Sequence, residues 1–381
     1  MQTLILKSLN SCNLRCDYCS VGNKEHTQFL SEEQMSAALR FFTDYIQAKG
    51  ENHATVIFHG GEPMLLPAAQ YDRCIKEIRR RVPEVSFRFS MQTNGTLLSP
   101  EYLTLFREHD IHIGVSLDGS RAIHDGQRRD ATGLGTYDQV MEHIRTLQSN
   151  HVPVAALMVL TRPALTDSLQ FLDSFDQLDL PLKINPLLSL GNAKAHPELA
   201  LQPGEYGCYL AQVFAYTAER GLNLSISPLD EIIHNILHEG GGRGCQYSPS
   251  CHSGFLCVDP EGIVYPCGRF ADTHENAIGN IQEGIMPHGE EILAALSSRR
   301  TTNLPARCRS CKYVRLCHAG CSADQPWELA AESPCTVCED YRYIFHYLKT
   351  EGMRYLRKQL LEERMTLLQR ISEIGAMPNG I

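Results

Sequence analysis

The chain has 381 residues, which at roughly 150 residues per domain suggests two or three domains, and its 43% hydrophobic content can fill a sizeable core. The net charge of −9, from 35 basic and 44 acidic residues, argues against nucleic-acid binding, which needs a basic footprint. The opening MQTLILKSLN has no apolar stretch with a cleavage site and no run of about 18 apolar residues follows, so a cytoplasmic protein without a membrane span is expected.

Apolar runs at 4–6, 55–58, 86–89, 111–115, 154–160 and 182–184 predict six buried strands. Helical segments alternate with them. Met35, Leu39, Phe42 and Tyr45 step by three or four, and 137–147 and 168–175 repeat that period. Such alternation implies an α/β fold with parallel strands and right-handed crossovers. Six units are too few for a closed eight-unit barrel, so an open, partial (β/α)6 TIM-like barrel is expected. Its chemistry would sit at the C-terminal strand ends. Residues 190–240 turn mostly helical, and GGGRG at 240–244 marks a joint. The expected organisation is a barrel with helical linker over 1–239, an irregular Cys-rich domain over 240–340 and a C-terminal helix over 341–381. That helix should start after Cys338 and run to about residue 374, presenting Ile344, Leu348, Leu356, Leu360 and Leu368, with Gly352 as a weak point.

Fifteen cysteines in a chain without an export signal point to metal or catalysis rather than disulfides. They cluster at 12–19, 245–267 and 308–338, and only Cys74 and Cys208 stand apart. Cys74 on a helical face and Cys257 in an apolar run read as buried, inert thiols. Cys12, Cys16 and Cys19 form C-x3-C-x2-C directly after the first strand. Iron–sulfur clusters usually take four thiolates, so three can hold a cubane with one iron left open, the mark of a catalytic rather than a structural site. Zinc would want a fourth ligand close by, and none follows before Gly22.

This motif, with Tyr18 before its last cysteine, resembles the radical S-adenosylmethionine (SAM) superfamily. The resemblance implies that the open iron chelates SAM and that reductive cleavage yields a 5′-deoxyadenosyl radical. An external one-electron donor such as flavodoxin or ferredoxin would supply the electron. His59-Gly60-Gly61-Glu62-Pro63 resembles the segment that meets the SAM amino group, and a carboxylate suits an ammonium. Gln92-Thr93-Asn94-Gly95 and Ser116-Leu117-Asp118-Gly119 follow the third and fourth strands. By the same resemblance Tyr18, Gly60, Gly61, Glu62 and Pro63 belong to the cofactor site. Ser116 contacts SAM, Arg128 pairs with its carboxylate in a bidentate fork (Arg129 is the rival), and Leu187 supports the adenine.

The second cysteine field resembles the SPASM extension of radical SAM peptide-modifying enzymes. Cys308, Cys311, Cys317 and Cys321 give C-x2-C-x5-C-x3-C, with Cys338 downstream and Cys245, Cys251 and Cys267 upstream. The resemblance implies two further [4Fe–4S] clusters, three in all. Cys245, Cys251, Cys267 and Cys321 would hold the first, and Cys308, Cys311, Cys317 and Cys338 the second. Cys335 competes with Cys338 as the last ligand, and zinc is the alternative metal.

The overall pattern, including Gly262-Ile263-Val264-Tyr265-Pro266-Cys267, is similar to the anaerobic sulfatase-maturating enzymes, which oxidise Cys or Ser to formylglycine. Those enzymes carry a catalytic Asp immediately after the cysteine matching Cys267. Gly268 stands there instead, followed by Arg269 and Phe270, with Asp272 as a possible shifted substitute. A general base contributes about 10²–10⁴-fold, so its absence favours a different reaction. The expectation is hydrogen abstraction from a ribosomally made precursor peptide and closure of a C–C or C–S cross-link. Formylglycine formation and a non-enzymatic iron–sulfur or zinc protein are the alternatives. Arg269 could anchor a peptide carbonyl or carboxylate, or be structural. The chain starts in the first strand with no leader-recognition domain before it, so a separate leader-binding protein is a possible partner.

Overall fold

Alternation along β1 (Gln2–Lys7) divides the molecule: Leu4 and Leu6 join the main core, whereas Ile5 packs toward Phe270 and Ala271 of the Cys-rich segment and Lys7 bonds Gly268 beside them. The computed structural model describes residues 2–22, 27–324 and 335–355. After β1 come α1 (Glu32–Ala48), β2 (His53–His59), α2 (Ala68–Arg81), β3 (Ser86–Thr93), α3 (Pro100–His109) and β4 (Ile111–Ser116). Then follow α4 (Arg121–Gln127), α5 (Tyr137–Ser149), β5 (Val154–Leu160), α6 (Phe171–Gln177) and β6 (Leu182–Pro186). The α1 start is fixed by a capping box, in which Ser31 accepts from the Gln34 N–H and Gln34 accepts from the Ser31 N–H.

The strands β1 to β6 pair in sequence order, all parallel, giving the six predicted units of the open barrel. Phe58, Phe89, Met91, Ile113 and Val115 pack with the outer helices, and their neighbours in alternation, including Gln92 and Ser116, line the concave face. The linker contributes α7 (Glu205–Arg220), a short unpredicted strand β7 (Ile226–Ser227) beside β6, and α8 (Leu229–Leu237).

The Cys-rich segment departs from its expected irregularity. β8 (Phe255–Val258) lies parallel to β1, from Thr3↔Phe255 to Leu6↔Val258. β9 (Ile263–Tyr265), α9 (Gly268–Thr273), β10 (Gly279–Asn280) and β11 (Gly284–Ile285) continue outward, so one sheet of 11 strands crosses the expected domain division. A four-residue apolar run is too short to declare its period in sequence; the free edge of β1 completes it. Cys257 is fully buried in that strand, and Cys74 is fully buried on α2. Three further helices follow: α10 (Pro287–Thr301), α11 (Ala306–Arg309) and α12 (Val314–Cys317).

The last described helix, α13 (Cys338–Tyr347), packs on α7, where the Gly207 N–H donates to Asp340 at 3.0 Å and Tyr347 meets Phe214 edge-on. It passes into a π-turn over Leu348–Gly352, ending at the glycine expected as its weak point. Ile344 and Leu348 are buried as expected; Leu356, Leu360 and Leu368 lie outside the described residues.

Candidate functional site

Cys12, Cys16 and Cys19 lie in the loop after β1, at the C-terminal rim of the barrel. Neighbouring strand ends hold this loop in shape. The Gly61 N–H donates to the Leu9 carbonyl at 2.7 Å and the Glu62 N–H to that of Ser11 at 2.8 Å. A Cβ at Gly60 or Gly61 would strike those same carbonyls, so the two glycines admit the cysteine loop itself. From beyond β6, Asn192 donates its backbone N–H to the Cys19 carbonyl (2.9 Å) and its side chain to that of Cys16 (3.1 Å). Asn94, after β3, points its amide at the Cys12 sulfur at 3.6 Å. The three thiols lie within electrostatic reach of one another. Burial pushes the Cys16 thiol up to about 12, with Arg128 opposing that rise. A thiol this reluctant to ionise needs a strong cation to become a ligand, and the donor set fits an iron–sulfur cube.

Behind the loop sits a buried charge cluster. Asp118, fully buried, accepts from the Tyr18 hydroxyl, from Arg128 Nε at 2.8 Å and from the Val159 N–H at 3.0 Å. The Arg128 guanidinium also lies over the Tyr18 ring, 5.1 Å from its centre. Nε is committed to Asp118, while the terminal nitrogens take no part in that bond. Arg129 instead grips Asp17 at 2.7 and 2.9 Å at the surface. Leu187 and Val159 pack against the cluster of Tyr18, Ala193 and Leu199, and Ser116 Oγ accepts from Gln92 at 3.2 Å on the concave face.

Glu62 is fully buried, and burial lifts its carboxyl to about 7 despite hydrogen bonds that oppose the rise. Its Oε1 accepts from the Thr93 hydroxyl (2.8 Å) and the Met64 N–H (2.9 Å), and its Oε2 from the Asn94 N–H (2.7 Å). A carboxylate has about four acceptor positions, so one on Oε2 remains for an incoming ammonium. Next to it, burial holds the His59 ring down to about 4, with Lys7 adding to that and Asp272 opposing it, so this histidine is neutral at pH 7.

The two remaining cysteine sets also assemble. Each of Cys308, Cys311, Cys317 and Cys338 lies within electrostatic reach of the other three, and all four line one cavity with Tyr313, Tyr341 and Phe345. Cys245 and Cys267 lie within reach of both Cys251 and Cys321. Fully buried Arg300 ties the field together. Its guanidinium donates to the carbonyls of Ser248 (2.8 Å), Gln246 (2.9 Å) and Gly320. The two candidates on α9 diverge. Arg269 pairs with buried Asp324 beside Cys321. Asp272 pairs with buried Lys7 and accepts from Ser20 Oγ at 3.2 Å, one residue past Cys19.

Sequence reasoning had assigned no role to Asn94, Asp118, Asn192, Lys7 or Arg300. Asn94 and Asp118 stood in the quoted motifs; the others carry no local signal.

This geometry of an open parallel barrel with a three-cysteine rim loop is that of a radical SAM enzyme, and residues 6–168 match the Radical SAM superfamily. The relatives are more specific. The chain is 26% identical over 360 residues to a cysteine-type anaerobic sulfatase-maturating enzyme of Clostridium novyi (strain NT), covering 91% of this chain and 94% of that one. It is 26% identical over 342 residues to a serine-type enzyme of Klebsiella aerogenes, covering 88% and 82%. The solved structure of native anSMEcpe with bound AdoMet and Kp18Cys peptide superposes with a TM-score of 0.77 at 25% identity, covering 93% of this chain and 98% of that one. Streptococcus suis SuiB bound to precursor peptide SuiA shares the fold, with a TM-score of 0.63 at 14% identity over 88% of this chain and 75% of its own. Residues 6–168 thus carry a Radical SAM domain, in a chain similar over nearly its whole length to the sulfatase maturases. No described helix is long and apolar enough to cross a membrane.

Proposed function

We propose that this enzyme matures a ribosomally made precursor peptide by closing an intramolecular C–C or C–S cross-link. Cys12, Cys16 and Cys19 hold the SAM-cleaving [4Fe–4S] cluster. Cys245, Cys251, Cys267 and Cys321 hold a second, and Cys308, Cys311, Cys317 and Cys338 a third. When bound, SAM and the first cluster supply a 5′-deoxyadenosyl radical that removes hydrogen from the peptide. Glu62 takes the SAM ammonium on its remaining acceptor position, Arg128 offers its terminal nitrogens to the SAM carboxylate, and Ser116 and Leu187 flank the nucleoside. The peptide would lie against the concave face; the outer clusters would offer a route for the electron released on closure, and a flavodoxin- or ferredoxin-like reductant would supply the first cluster.

The observation carrying this reading is Gly268. A Cβ there would meet Ile5 and Lys7 at ordinary contact distance, so the backbone at this point does not require glycine. Yet the acid that formylglycine chemistry would use at this position is missing, and Asp272, four residues on, is paired with Lys7. Closing a cross-link makes less demand on a protein base. Formylglycine formation is the second reading, favoured by likeness to the sulfatase maturases over nearly the full chain. Mass spectrometry of candidate peptides incubated with reconstituted enzyme and SAM tests the choice. Loss of two hydrogens with residues that resist fragmentation supports a cross-link. A new aldehyde captured by a hydrazide probe, with or without loss of sulfur, supports formylglycine.

A further inference from the structure

The four thiols of the outermost set share their cavity with a fifth. Cys335 lines the same pocket as Cys308, Cys311, Cys317 and Cys338 and is only 3% exposed. It is not spare packing. Its place against residue 320 depends on glycine, because a Cβ there would run into the Cys335 sulfur. Gly320 lies in the left-handed region, with φ 77°, and donates to the Cys317 carbonyl at 2.9 Å. The chain thus bends sharply just past one expected ligand and opens a slot filled by an additional thiol. Cys335 lies within electrostatic reach of Cys317 and Cys338 and also of Cys321 of the neighbouring set. Cys335 and Cys338 form C-x2-C across a tight turn, in which the Cys338 N–H donates to the Cys335 carbonyl at 3.1 Å. That spacing lets two sulfurs reach one metal centre.

We propose that Cys335 and Cys338 are alternative fourth thiolates for one cluster, so that the outer site keeps its iron when either is withdrawn. The proposal rests on the cluster assignment above. A buried thiol packs as a small apolar group, but beside other cysteines at a cluster it is a strong ligand once ionised. Exchange conserves charge: the incoming thiol loses its proton as the outgoing thiolate gains one, and no electron moves.

The test counts iron and sulfide in anaerobically reconstituted full-length protein and follows the reduced clusters by electron paramagnetic resonance. Wild-type protein near 12 iron, three cubes of about four, upholds the cluster assignment itself; a lower value fails that reading and not this one. Given 12, C335A and C338A should each keep all three cubes, with the resonance of one cluster altered in C338A. C335A/C338A should fall to about 8 iron while the other two signals persist, which also shows that the double variant folds. Loss of one cube in either single variant, or its retention in the double, overturns the proposal.

Discussion

Lys7 and Asp272 are 265 positions apart in the chain and meet as a buried ion pair, joining the strand that leads into the first cysteine loop to the helix that follows Cys267. Lys7 Nζ also donates to the Gly268 carbonyl at 3.0 Å, and Ser20 reaches Asp272 from the cysteine loop. Burial alone would pull the lysine down, but Asp272 reverses this and lifts it above its ordinary value. Removing one member of such a pair strands the other. Lys7→Met should therefore cost about 3–5 kcal/mol in urea unfolding, and Lys7→Met with Asp272→Leu should recover most of it. Equal losses in the single and double variants would show that the pair contributes nothing.

Asp272 also separates the two reactions. As a paired structural carboxylate, its change to Asn should leave product formation from a bound peptide within about tenfold of wild type. A loss of about 10²–10⁴ in product, with 5′-deoxyadenosine release unchanged, would make it the general base.

Asp118 gathers Tyr18, Arg128 and the Val159 N–H at one buried point. Asp118→Ala leaves the Arg128 charge buried without its partner, and a loss of about 3–5 kcal/mol is expected by chemical denaturation. Because Tyr18 sits between Cys16 and Cys19, the same variant should load the first cluster poorly while the other two load normally. Normal iron content and unchanged stability would contradict this.

Glu62 predicts a pH dependence of SAM binding. Its folded value near 7 lies above the ordinary carboxylate range, so the folded protein without cofactor holds this proton more tightly than the unfolded chain. The associated stability is present at low pH and is lost as pH rises through about 7. SAM binding runs the opposite way, because the ammonium needs the ionised form. Affinity measured by equilibrium dialysis should fall as pH drops below about 7, by up to about tenfold per unit, and Glu62→Gln should flatten the profile. A profile unaltered in that variant would remove Glu62 from the ammonium site.

Cys16→Ala should abolish 5′-deoxyadenosine production under dithionite while leaving about 8 iron in the other two cubes. Continued SAM cleavage would refute the assignment of the rim loop.

Much of the architecture was legible because its signals are local. Apolar runs spaced by helical segments identify the six units, since each strand buries alternate residues against the helices and each helix buries one face against the sheet. Cysteine spacing is legible for the same reason: a cube fixes how far apart its ligands can be. Pairings between distant segments were not. Nothing distinguishes Arg300, wholly buried over three carbonyls, from its neighbour Arg299 in the run SSRR. Glu62 read as an acid for an ammonium, but two of its three internal donors, Thr93 and Asn94, became visible only once β3 lay beside β2.

The sequence by itself determined which residues could carry chemistry: three thiols placed after the first strand, a glycine–glutamate turn after the second and two further cysteine fields at 245–267 and 308–338. Those are matters of residue type and short spacing, which the covalent chain enforces. Tertiary structure decided how the parts work on one another. The free edge of β1 took in β8 and fused the cysteine-rich segment to the barrel, and burial paired Lys7 with Asp272 and Asp118 with Arg128. Those choices turn on removing charge and backbone from water, a cost no short stretch of sequence records.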